Sequence, residues 1–114
     1  MVELRSLDIL KDKIPSEVMN RLAKDLNILS EPSRLNILLL LAVIKEMNVN
    51  ELSFAINLSP SAVSHQLKIL RDGGFVKFRK KGKEVCYSMF DEDMVETANR
   101  LLEDLKKRIS KKHI

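Results

Sequence analysis

Between residues 57 and 89 the chain is punctuated so tightly that few folds can accept it. Asn57-Leu58 reads as a tight turn, and Ser59-Pro60 restarts a helix, with serine as cap and proline in a first turn that does not need its N–H. That helix runs to Asp72, where Gly73-Gly74 can take left-handed C-cap geometry. The period then switches from helical to two. Phe75-Val76-Lys77-Phe78-Arg79 reads as a strand, Lys80-Lys81-Gly82-Lys83 as a turn, and Val85-Cys86-Tyr87-Ser88-Met89 as the returning strand. Upstream, Asn48 and Glu51 have capping-box spacing and open a short helix through about Ile56.

The remaining segments are helical by the same reading. Residues 3–14 place Leu7, Leu10 and Ile14 at helical spacing, a further short helix or N-terminal arm. Residues 16–29 repeat Val18/Met19, Leu22/Ala23 and Leu26, with Ser16 as the expected N-cap. Ser30-Glu31-Pro32 is a stop and restart, with Ser30 as the expected cap. Residues 34–45 are apolar on nearly all sides, which predicts a central helix. Residues 91–109 carry Met94, Val95, Ala98, Leu101, Leu102, Leu105 and Ile109 on one face. Asp91, Glu92 and Asp93 begin that helix and Lys106, Lys107 and Arg108 end it, an order that complements its dipole. The tail, residues 111–114, is expected to fray. Aromatics at 4% and three each of Gly and Pro disfavour a sandwich or barrel. The expectation is one domain over 1–114, mainly α with a two-stranded β-hairpin, in the order α-α-α-α-β-β-α plus the short N-terminal helix. Helices joined by a tight turn over 50–72, followed by a basic hairpin over 75–89, make a winged helix-turn-helix.

Charge sharpens this. The net +4 is uneven: residues 1–58 carry net −1, residues 59–90 net +5, and residues 91–114 are neutral. A basic segment that coincides with a polar-tipped helix points to nucleic acid. In a helix-turn-helix the second helix enters the major groove with its N-terminal residues toward the base edges. Ser59, whose first duty is capping, and Ser61, Ser64, His65 and Gln66 are the expected contacts at that tip. Lys68 and Arg71 reach phosphates or keep the helix soluble. Leu67 and Leu70 anchor the opposite face, with Val63 at the boundary. Arg79, Lys80, Lys81 and Lys83 cluster around Gly82, and laying them along a phosphate backbone relieves their mutual repulsion and releases counterions. His65 has no second His or Cys three or four residues away, so a groove contact outweighs a metal role.

Other classes fit less well. The longest apolar run, residues 37–44, is too short for a bilayer. No signal-peptide core is present, and the single Cys86 permits no intrachain disulfide, so a cytoplasmic location is expected. Cys86 reads as a small buried hydrophobe. No nucleophile with a nearby base, phosphate-cradling loop or metal set is found, so neither an enzyme nor a cofactor is expected.

Three stretches together resemble the ArsR/SmtB transcriptional repressors. They are Leu29-Ser30-Glu31-Pro32-Ser33-Arg34-Leu35-Asn36-Ile37-Leu38, the helix Ser61-Ala62-Val63-Ser64-His65-Gln66-Leu67, and the wing from Gly73-Gly74-Phe75-Val76 to Tyr87-Ser88. The likeness covers roughly residues 18–108. It implies a homodimer that binds an inverted-repeat operator in double-stranded DNA and lets go when an inducer binds. It also implies pairing through residues 16–29 and 91–109, with Val18, Leu22, Met94, Ala98, Leu101, Leu102 and Leu105 at the dimer interface. Packing within one chain is the competing use of those faces. The chain departs from both metal sites of the resemblance. Where a Cys-x-Cys belongs after Glu51-Leu52 stand Ser53-Phe54-Ala55, and the last-helix positions are Asp91, Asp93, Asp104 and Lys107, without histidine. The sequence names no inducer. The competing function is a winged-helix protein-interaction module that does not bind DNA.

Overall fold

The computed structural model describes residues 3–11 and 13–112. Six helices and three short strands follow in order: α1 (Leu4–Lys11), α2 (Ser16–Leu29), α3 (Pro32–Ile44), β1 (Met47–Asn48), α4 (Val49–Ile56), α5 (Pro60–Asp72), β2 (Val76–Lys81), β3 (Glu84–Met89) and α6 (Glu92–Lys112). The fold is a winged helix-turn-helix, mainly α, as the order of elements predicts.

Helix α3 is central because it has almost no polar face. Ile37, Leu38, Leu41 and Ala42 are buried, and α2, α4, α5 and α6 all pack on it. The core is completed by Leu52 of α4, by Val63, Leu67 and Leu70 of α5, and by Met47, Val76, Met89 and Val95.

The starts of α2 and α3 differ from expectation. Pro15, not Ser16, is the N-cap of α2. Its backbone is extended and its carbonyl accepts from the N–H groups of Val18 and Met19, while Ser16 is already helical and makes no capping bond. Ser30 does not cap α3. Its backbone is still helical and its hydroxyl donates to the Asn27 carbonyl at 2.8 Å, so it closes α2. The extended residue is Glu31, whose longer carboxylate reaches the Arg34 N–H at 3.0 Å. The other signals behave as read. Asn48 and Glu51 form both bonds of a capping box. Gly74 takes φ +82°, and the bonds from Gly74 N–H to Arg71 carbonyl and from Phe75 N–H to Leu70 carbonyl close α5 in a Schellman motif.

The wing is longer and its turn shorter than the period-two reading gives. Strand β2 starts at Val76 rather than Phe75 and extends through Lys81. The turn is Gly82-Lys83 alone, with Gly82 at φ +66°. Lys80 and Lys81 therefore belong to a strand, paired with Val85 and Glu84. A third strand goes beyond the expected hairpin: Met47 and Asn48 pair with Tyr87 and Cys86, giving an antiparallel sheet of order β1-β3-β2. Two residues are too short to carry a periodic signal. Cys86 is buried on β3.

Helix α6 continues to Lys112, three residues past expectation. His113 and Ile114, the end of the tail expected to fray, lie outside the described residues.

Much apolar surface stays uncovered. Helices α2 and α3 meet at 91°, so α2 stands away from the core and buries no residue fully. The radius of gyration is 17.9 Å, whereas a compact chain of this length has about 13 Å. The accessible surface is 8951 Å², against about 6,400 Å² for a folded monomer of this mass. Among the described residues no single helix is long and apolar enough to cross a membrane.

Candidate nucleic-acid interface

The helix-turn-helix is set by side chains that bond their own backbone. Asn57 supplies the left-handed residue between α4 and α5 (φ +57°), a conformation asparagine tolerates well. The Ser53 hydroxyl donates to the Leu58 carbonyl and closes the same turn. Ser59 then caps α5, its hydroxyl accepting from the Ala62 N–H at 3.1 Å, with Pro60 in the first turn.

Spacing sorts the rest of α5 into two faces. Val63, Leu67 and Leu70 form the stripe i, i+4, i+7 and are each 0% exposed. Val63 is thus core rather than boundary. Ser61, Ser64, His65, Lys68 and Arg71 lie exposed on the other side. Gln66 departs from the group. It is half-buried, and its amide oxygen accepts from an Arg34 terminal nitrogen at 2.9 Å. Arg34 also donates Nε–H to the Ile28 carbonyl at 2.6 Å, so one guanidinium ties the end of α2 to the middle of α5. Gln66 falls on the flank of the apolar stripe, which turns it toward α3. Burial works to raise the Glu31 carboxyl pKa, but the Arg34 and Ser33 N–H groups, the Ser33 hydroxyl and the Arg34 charge together hold it below its ordinary value.

The wing's cations are not equivalent. Strand alternation puts Lys77, Arg79 and Lys81 on one face and Phe78 and Lys80 on the other. Arg79 donates Nε–H and a terminal N–H to the two oxygens of Glu46 at 2.7 and 2.9 Å, and Lys81 Nζ stands 3.8 Å from the same carboxylate. The hydrogen bond from Arg79 depresses the Glu46 pKa, burial opposes it, and the Arg79 and Lys81 charges add to the lowering. The bond to Glu46 likewise raises the Arg79 pKa. The idea of four mutually repelling charges at one tip is therefore corrected: Arg79 and Lys81 share an internal counter-charge. Among the described residues Lys80 and Lys83 make no salt bridge. On the other face Arg71 of α5 lies over the Phe78 ring at 5.3 Å, a contact that ties the wing to α5, while Phe78 packs at 5.9 Å from its cross-strand partner Tyr87.

The metal sites implied by the resemblance do not fit these residues. Ser53 Oγ is committed to the Leu58 carbonyl and Ala55 has no donor atom. Asp91 Oδ1 accepts from the Met94 N–H at 2.8 Å, which makes Asp91 a helix cap. Asp104 and Lys107 share a shallow hollow with Arg108 and Lys111, where cations would repel a metal. Among the described residues no three His, Cys, Asp or Glu side chains group to hold a metal.

The expected dimer residues divide. Val18, Leu22, Leu101 and Leu105 are exposed, and Leu102 is half-buried. Met94 and Ala98 are partly buried against their own core and, with Leu101, line an apolar cavity of about 330 Å³ beside Leu35, Leu38 and Phe75. Three residues escaped the sequence reading. Arg34 and Glu46 act across 32 and 33 residues, beyond any local signal. Phe54 of α4 is 90% exposed, and only its place on the outer side of a short amphipathic helix could have marked it.

An exposed polar helix face, held beside a basic hairpin by a tight helix–turn–helix, defines a winged helix-turn-helix. Comparison with known proteins agrees. Residues 31–77 match the model of the arsR family of bacterial regulatory proteins. The chain belongs to this family. It is 39% identical over 88 residues to a transcriptional repressor SmtB homolog of Synechocystis sp., a match covering 73% of this chain and 66% of that protein. The chain thus spans just under two thirds of that relative. The crystal structure of Rv0081 from M. tuberculosis superposes with a TM-score of 0.76 at 28% identity, covering 88% of this chain and 100% of that one. A homodimeric winged helix-turn-helix domain from Mycobacterium bovis shares the fold, with a TM-score of 0.74 at 24% identity, covering 82% and 86%. Proteins of this family are regulators, not enzymes.

Proposed function

We propose that the chain is a homodimeric repressor that reads an inverted-repeat operator through Ser61, Ser64 and His65. In this reading it anchors on phosphates through Lys68, Arg71, Lys80 and Lys83. The observation that carries the reading is the exposure of these α5 side chains next to Lys80 and Lys83, which make no salt bridge among the described residues. Ser59 serves as cap, Gln66 as a tether, and Arg79 and Lys81 join the interface only by leaving Glu46.

Dimerisation is supported by surface area. The excess over a compact monomer, about 2,500 Å² per chain, is of the order an obligate dimer buries. Val18 and Leu22 of α2 and Leu101, Leu102 and Leu105 of α6 supply the apolar contacts. The Synechocystis relative is a repressor and the M. bovis domain a homodimer, and both properties carry over to this reading. A two-fold dimer presents its reading helices about one DNA turn apart. Any inducing signal acts through neither the thiolate nor the Asp/His metal site, because the thiolates and histidines of those sites are missing.

Selection of bound fragments from the source genome should return an inverted repeat. With about six to ten phosphate contacts per dimer, affinity for it should fall by about three to five decades between about 50 and about 200 mM salt. Binding insensitive to salt, or selection of no common sequence, would refute the proposal.

A further inference from the structure

We infer that Glu46 occupies, in the free protein, the place that a DNA phosphate takes in the complex, and so sets how strongly the wing grips DNA irrespective of sequence. The inference rests on the DNA-binding reading and adds a residue outside both the helix-turn-helix and the wing.

The geometry is that of phosphate recognition. The Arg79 guanidinium presents two N–H groups side by side to two oxygens, at 2.7 and 2.9 Å, with Lys81 Nζ 3.8 Å from one of them. That planar fork matches carboxylate and phosphate equally well. Both cations keep most of their side-chain surface in water, 63% for Arg79 and 65% for Lys81, so a phosphate can approach without unfolding anything. They adjoin Lys80 and Lys83, which make no salt bridge among the described residues. The Glu46 carboxyl is held ionised by Arg79 and Lys81.

Glu46 is also delivered by a constrained turn. The residue before it, Lys45, ends α3 at φ +81° and ψ −49°, a region that non-glycine residues enter only when their surroundings impose it. On its other side β1 is pinned to β3. The carboxylate is therefore presented to β2 rather than left to wander.

Ion accounting gives the consequence. While Arg79 stays on Glu46 it neutralises no phosphate and releases no counterion from the DNA. Moving it to a phosphate gives up one charge-assisted pair to make another, so the contact adds little affinity. Removing the Glu46 charge leaves Arg79 and Lys81 uncompensated, and their phosphate contacts now release counterions.

The test is fluorescence anisotropy of a labelled random-sequence duplex titrated with full-length wild type, E46Q, R79Q and E46Q/R79Q over a salt series. Circular dichroism checks that each is folded. E46Q should bind about tenfold more tightly at low salt, with the slope of log K against log salt steeper by about 0.9 per protomer. In the R79Q background most of that gain should vanish. An E46Q gain that survives intact in R79Q would reduce Glu46 to one negative charge among many and overturn the inference. So would a folded E46Q with unchanged or weaker binding. If wild type binds the duplex but E46Q leaves the slope unmoved, only this inference falls. If no variant binds at low salt, the DNA-binding reading falls with it.

Discussion

Asn48 works in two directions at once. Its side-chain oxygen accepts from the Glu51 N–H at 2.8 Å and caps α4, while its amide nitrogen donates to Glu84 of the wing at 3.2 Å. Asn48→Ala removes both and should cost about 1–2 kcal/mol in urea unfolding. Asn48→Ser keeps a capping oxygen and should cost less than half as much. Lys45 is the opposite case, a side chain where the backbone favours none. Lys45→Gly should stabilise the fold by about 1 kcal/mol, read as a higher urea midpoint at constant m-value. Glu46 makes stability depend on pH. Its folded pKa lies below the unfolded one, so its contribution is fully present above the unfolded value. It is lost as pH falls through the depressed folded value. In E46Q the acid limb of a stability–pH curve should be flatter than in wild type.

At the scale of elements, α5 has separable faces. Leu67 is 0% exposed beneath the reading surface, and Leu67→Ala should cost about 2–5 kcal/mol. On the outer face, replacing Ser64 and His65 with alanine should relax sequence preference in a selection experiment with little change in stability. Replacing Lys80 and Lys83 should weaken binding to all sequences alike and lower the salt slope by about 1 for each lysine removed. If the two pairs gave the same pattern, the division between reading helix and anchoring wing would be wrong. The wing can act with α5 because Arg71 stacks on Phe78 and Arg79 is tied to Glu46, so the hairpin is braced on both faces.

The whole molecule has an extended outline with apolar helices on its flanks. Leu22 on α2 and Leu101 on α6 are exposed, and in the proposed dimer they pack against a second copy. Sedimentation equilibrium should find a dimer whose melting temperature rises with protein concentration. Leu22→Glu with Leu101→Glu should give a folded monomer with much reduced operator affinity, since one reading head replaces two. Retention of the dimer in that variant would place the interface elsewhere.

By itself the sequence determined the helices, the tight turn, the wing and the two-faced character of α5. These follow from caps, glycines and periodicity, interactions confined to a few neighbouring residues. Asn48 with Glu51, Ser59-Pro60 and Gly73-Gly74 each fix one boundary through such local bonds. Only the tertiary structure decided the fate of individual polar side chains. Gln66 and Arg79 look like free contacts in sequence, yet Arg34 and Glu46, more than 30 residues away, bond them inside the protein. A charge written in the sequence shows its sign but not its partner, and long-range pairing is set by how α3 and the sheet pack. The third strand was hidden for the same reason, because Met47 and Asn48 become a strand only when β3 is laid beside them.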